Sequence, residues 1–173
     1  MRHAAALAFA ALAAAAPAHA FPDGAPWEAA GPQGCVQCHF DATAAESSTA
    51  VAIDGLPERL APGASYRLVV RLSDPSMAKA GFLLSAWQGG EPAGSFASTD
   101  ERAVTNAAQA RSTEAGASVD ARGVVEWIVY WIAPRKTGEP VTLELWANAA
   151  NDDASPFGDA THHRAWRVAM AED

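Results

Sequence analysis

Apart from one pair, the sequence has no cysteine, and that pair, Cys35 and Cys38, stands only three residues apart. A disulfide across so short a span closes almost no loop and stabilises little, so a disulfide framework is excluded. Without a second cysteine pair, a four-ligand zinc site of the usual kind is excluded too. No run approaches the ~20 apolar residues of a membrane-spanning helix. Basic residues are scarce, 12 against 20 acidic for a formal charge of −8, which makes nucleic acid and anionic lipid poor partners. There is no serine or cysteine nucleophile motif and no catalytic carboxylate pair. Asp152, Asp153 and Asp159 in "NAANDDASPFGD" lack the EF-hand spacing and its terminal glutamate, and read as a solvated turn. An enzyme is not the expectation.

What is present falls into three parts. Arg2, the alanine- and leucine-rich stretch from Ala4 to Ala16, and Ala18-His19-Ala20 together form a signal peptide over residues 1–20. The remaining 153 residues carry 11 basic and 20 acidic side chains, enough for one domain with a core and a short appendage. Residues 21–47 begin with the Pro/Gly-rich "FPDGAPWEAAGPQG" and read as an irregular lead. From residue 48 to 173 the texture is of strands. "SYRLVVRL" sets Tyr66, Leu68, Val70 and Leu72 on one face; "GVVEWIVYWIAP" sets Val125, Trp127, Val129 and Trp131 on another, as core. "PVTLELWAN" alternates Val141, Leu143, Leu145 and Ala147 against Thr142, Glu144, Trp146 and Asn148. This alternation, with turn residues at short intervals, predicts an all-β antiparallel sandwich. The alanine-rich "ERAVTNAAQARSTEAG" is long for a bare connection and is expected to hold a short strand.

Residues 35–39 read "CVQCH". Cys-x-x-Cys-His is the attachment pattern of c-type haem. Two thiols at this spacing reach the two vinyl groups on one porphyrin edge, and the histidine behind them is carried under the ring to bind iron. A redox dithiol uses the same cysteine spacing but belongs at a helix head beside a βαβ pattern, which is missing here. The expectation is therefore one covalent haem c, held by Cys35 and Cys38, with His39 as the proximal iron ligand.

The sixth iron position is less determined. After the signal segment the remaining histidines are His162 and His163, and the methionines are Met77 and Met170. Imidazole or thioether completes such an iron. One of His162 and His163 is the expected distal ligand, with Met77 a weaker candidate; Met170 packs at a strand end. His162 shares a strand face with Trp166, which could wall a haem, and this tips the choice slightly toward it. Trp27, eight residues before Cys35, could cover one haem face.

The strand region also resembles a known family. "SDPSMAKAGFLLSA", "VEWIVYWIAPRKTGEPVTLELWANAAN" and the following "GD" are similar to the reeler domain, above all bacterial reeler-like, choice-of-anchor relatives with a Cys-x-x-Cys-His lead. The telling pieces are Gly81–Ala86, Trp131–Pro134 and Ala147–Asn151, within a match over roughly 50–170. The resemblance implies an immunoglobulin-like sandwich without catalysis, beside haem and electron handling in some relatives. Relatives often carry a histidine shortly before the Trp-x-Ala-Pro strand; "NAAQARSTEAGASVD" has none, so its role would pass to His162 or His163. Many also end in an anchor, whereas this sequence stops three residues after Met170. Together these features imply a periplasmic monohaem cytochrome c without membrane anchor, exchanging electrons with a periplasmic redox protein. The alternative is a haem-bearing binding, adhesion or gas-sensing module.

Overall fold

The computed structural model describes residues 21, 23–39, 42, 44, 46–153 and 155–172. The expected signal peptide lies outside the described residues. The period-two runs become five long strands: β3 (Ser65–Ser73), β4 (Lys79–Gln88), β9 (Val124–Ile132), β10 (Val141–Ala150) and β11 (Ala160–Met170). Shorter strands are β1 (Val51–Asp54), β2 (Arg59–Leu60), β5 (Glu91–Pro92), β6 (Ser95–Ala97), β7 (Ala103–Thr105) and β8 (Gln109–Ser112). The alanine-rich stretch thus holds β7, β8 and a 3-10 turn at Ala115–Ala117.

Two sheets stack face to face. One runs β1-β3-β9-β6; the other runs β2-β11-β10-β4-β8-β7, with β5 paired on β4. Among the described residues pairing is antiparallel with one exception: β2 joins β11 in parallel over Ala169–Arg59 and Met170–Leu60. The chain leaves β1 at the edge of one sheet and crosses to the edge of the other, so it arrives alongside β11 rather than folding back as a hairpin.

The core between the sheets takes the predicted faces. Leu68, Val70, Leu72, Trp127, Val129, Trp131, Val141, Leu143, Leu145 and Ala147 are all buried there. A buried indole N–H must be satisfied: Trp127 donates to Gly116 O at 2.9 Å and Trp131 to Ala93 O at 3.2 Å. Gly116 is required at that spot, because a Cβ would lie 2.0 Å from Arg102 O and 2.8 Å from Trp127 Nε1. Phe82 packs on Trp127 with ring centres 4.7 Å apart. Trp146 departs from a simple core role. It points out of the opposite side of the second sheet and is buried in a separate cluster with Leu83 and Ala29.

Candidate functional site

That second cluster is where the lead meets the sandwich. Register sets a row of side chains across four strands: Arg111 of β8 opposite Leu83 of β4, Leu83 opposite Trp146 of β10, Trp146 opposite His163 of β11. Directly paired residues share a sheet face, so this row lies on the outer face. The lead covers it. Arg111 places its guanidinium 4.3 Å over the Trp27 ring and donates to Ala25 O. Trp27 is therefore engaged with Arg111, a contact that its position eight residues before Cys35 does not reveal. Ala29, Ala30 and Cys35 pack with Leu83 and Trp146.

The Cys-x-x-Cys-His segment lies in the same layer. Gly34–Gln37 forms a 3-10 turn, and Cys38 and His39 close it by donating to Cys35 O at 3.2 and 3.1 Å. Gly34 has φ +43°, and a Cβ there would fall 1.9 Å from the Trp146 ring. Glycine supplies both the left-handed backbone and the close approach. Cys35 and Cys38 are free thiols. Desolvation, with a smaller contribution from the Cys38 thiol, pushes the Cys35 thiol up from 9.0 to about 12.

His39 leans on the other end of the outer face. Its Nδ1 lies 2.8 Å from Oδ2 of Asp159, whose side chain is only 2% exposed against 24% for the imidazole. The nitrogen is buried and its N–H points off that line. Asp159 is held in turn by Asn148 Nδ2, which donates to Oδ2 at 3.1 Å, and by the Asn151 backbone N–H, which donates to Oδ1 at 3.1 Å. A carboxylate at Nδ1 leaves Nε2 as the nitrogen free to bind a metal. Sequence reading placed Asp159 in a solvated turn. The missed signal was its position: it immediately precedes β11, within pairing reach of Asn148, at the end where the lead arrives.

The distal candidates separate by face. His163 stacks on Trp146 at 4.2 Å between ring centres, and its Nε2 lies 3.0 Å from Glu144 Oε1. It thus belongs to the layer that holds the lead. His162 faces the other way. Its Nδ1 is 3.0 Å from Ser48 Oγ and its Nε2 3.5 Å from Asp74 Oδ2, so it ties the start of β1, the turn after β3 and β11 together. Trp166, on the His162 side, packs against the main core. The reason for favouring His162 therefore falls away: the aromatic face is a core face. Met77 is buried in the main core, and its thioether packs among apolar side chains there. The structure brings Cys35, Cys38, His39, Asp159, Trp146 and His163 to one side and leaves His162 and Met77 on the other.

No family model matches this chain, and no curated protein matches it. Among solved structures it is similar to the human F-spondin reeler domain (fragment 1), with 21% identity over 75% of this chain and 95% of that one, TM-score 0.50. It is also similar to the Reelin-N domain of F-spondin, with 23% identity over 78% of this chain and 95% of that one, TM-score 0.51. At such identity the likeness concerns the fold. The chain is an all-β, immunoglobulin-like sandwich of reeler type.

Proposed function

We propose that this protein is an exported monohaem c-type cytochrome whose sandwich carries one haem on its outer face for electron transfer. The observation that supports this most is the donor set of the Cys35–His39 turn: two free thiols and an imidazole whose Nδ1 lies 2.8 Å from Oδ2 of Asp159. Among the described residues no three of His, Cys, Asp and Glu gather as a site for a bare metal ion. A single offered imidazole suits iron that arrives with four macrocycle nitrogens. The outer layer also has polar atoms without a hydrogen-bond partner in the polypeptide, His39 Nδ1, Arg111 Nε, Trp146 Nε1, Asn148 Oδ1 and Thr161 Oγ1, as expected beside a further group. These residues fit a haem c.

When bound, the iron would supply a one-electron couple. Cys35 and Cys38 would hold the group by thioethers, and Asp159 would fix the tautomer of His39 so that Nε2 faces the iron. Trp146 and Leu83 would exclude water beneath the turn. His163, which shares the outer face with the turn, would be the histidine able to bind the iron as well, on condition that its Nε2 leaves Glu144. The acidic protein, formal charge −8, would dock a periplasmic redox partner through a basic surface, at a rate that falls with salt.

The test is the absorption spectrum and intact mass of protein made with haem-attachment machinery. Red colour that survives acid and organic extraction, with the mass of one haem added, is expected; colour lost on extraction refutes covalent attachment.

A second reading, a binding or gas-sensing module with an open sixth position, is favoured by one observation: both histidines already have partners. Low-spin wild-type iron that turns high-spin in His163→Ala, and stays low-spin in His162→Ala, supports the electron carrier. High-spin wild-type iron that takes up carbon monoxide supports the module.

A further inference from the structure

Asp159 is a carboxylate whose side chain is almost wholly withdrawn from water, and such a group is costly unless its partners compensate. Its oxygens meet three groups: the Asn148 amide, the Asn151 backbone N–H and the His39 imidazole. The first two are neutral donors, which orient the carboxylate and leave it its charge. The third belongs to the expected proximal ligand, whose Nδ1 approaches Oδ2 to 2.8 Å with its N–H off that line. Asn148 and His39 converge on the same oxygen, Oδ2, so the electron density offered to the imidazole depends on how much the amide draws away.

We propose that Asp159 is the positioning residue for His39 and that the Asn148–Asp159–His39 chain sets the redox potential of the haem, an inference that rests on the haem reading above. A carboxylate at Nδ1 makes the imidazole a stronger donor at Nε2. Ferric iron carries one more positive charge than ferrous and gains more from that donor, so Asp159 holds the potential low. Exposure of the neighbouring Phe157, 55%, shows that the loop carrying Asp159 reaches solvent while its carboxylate does not. The burial is therefore specific to the side chain that meets His39.

Two substitutions in the haem-loaded full-length protein separate tuning from scaffolding. Asp159→Asn keeps an oxygen for His39 but removes the charge, and the potential is expected to rise by the equivalent of a tenfold change in the ferric-to-ferrous preference, about 59 mV for one electron. Asn148→Ala removes a donor from Oδ2 and leaves the charge, and the potential is expected to fall. A merely structural latch moves both variants in the same direction or neither, and that result overturns the proposal. Nitrogen NMR of the haem-free protein gives a readout that needs no iron. His39 is expected to hold its proton on Nδ1 in the wild type and to lose that preference in Asp159→Asn; no change between the two overturns the positioning role. A wild type that takes up no covalent haem, yet keeps the Nδ1 tautomer, overturns the haem reading and with it the tuning of a potential. A loaded wild type whose potential ignores both substitutions overturns the Asp159 assignment alone.

Discussion

The docking of the lead on the sandwich can be broken at one atom. Gly34 has φ +43°, and the Cβ of Gly34→Ala would fall 1.9, 2.2 and 2.4 Å from three atoms of the Trp146 ring. The left-handed backbone costs an alanine roughly 1–2 kcal/mol. Relieving the overlap by shifting a buried indole costs roughly 1–3 kcal/mol more. The sum, roughly 2–5 kcal/mol, weakens docking between about thirtyfold and several thousandfold at 1.4 kcal/mol per tenfold. The lead rests on the small Ala29–Leu83–Trp146 cluster and not on the main core, so the sandwich should keep its own unfolding transition. Amide hydrogen exchange reads this directly. The amides of Val36, Cys38 and His39, which donate to Gln33 O and Cys35 O, should lose protection by that factor, while amides of β9 hold theirs. Adding Trp146→Ala empties the space that the new methyl needs. The double variant should then be less damaged than the sum of the two singles. Additive losses in hydrogen exchange would refute the contact between Gly34 and Trp146 as what fixes the lead.

The main core and the His162 joint carry their own expectations. Trp127→Ala removes a fully buried indole that donates to Gly116 O; a loss of about 3–5 kcal/mol is expected in urea unfolding, and a loss below 1 kcal/mol would contradict the core assignment. Asp74 is held below its ordinary value of 3.8 chiefly by the Ser76 hydroxyl, which donates to Oδ1 at 2.6 Å, with the Ser76 N–H and His162 adding to it against desolvation. Because the folded value is the lower one, the stabilisation is present above about pH 4 and is lost as pH falls through the folded value. Asp74→Asn should therefore lower the urea midpoint at pH 7 and by less at pH 3. An equal loss at both values would remove the charge from the explanation.

The sandwich was legible because each long strand states its own buried face. Val125, Trp127, Val129 and Trp131 alternate with exposed or half-buried neighbours, and a slip of one residue would invert the whole set. The Cys35–His39 segment stood out because two cysteines and a histidine at that spacing form a recognisable pattern, and the structure gives it a 3-10 turn. Other parts depend on what happens across the fold. Nothing near Trp146 in the chain announces that its outward face is buried, because the cover comes from residues more than a hundred positions earlier. Asp159 reads as a turn residue for the same reason: its burial is supplied by His39 and two asparagines. The parallel pairing of β2 with β11 involves two residues, too few for any periodicity to show.

The alternation of the strand settles the separation of His162 and His163. Neighbours on a strand point to opposite sides, so two adjacent histidines can never both face the lead. The parity is fixed by pairing. His163 stands opposite Trp146 and His162 opposite Ala147, and Ala147 belongs to the main core. Following the outer parity along β10 gives Glu144, Trp146 and Asn148; along β11 and its preceding residue it gives His163, Thr161 and Asp159. The inner parity over the same stretch of β10 is Leu143, Leu145 and Ala147. A face rich in carboxylate, amide, imidazole and indole, behind the aliphatic inner side of β10, would normally be left to water. Here Trp146 and the carboxylate of Asp159 are nonetheless buried. Asp159 takes the Asn148 amide and meets His39 of the lead, while Trp146 Nε1, Asn148 Oδ1 and Thr161 Oγ1 find no partner in the polypeptide. The outer face of β10 and β11 is therefore built for the segment that carries Cys35, Cys38 and His39.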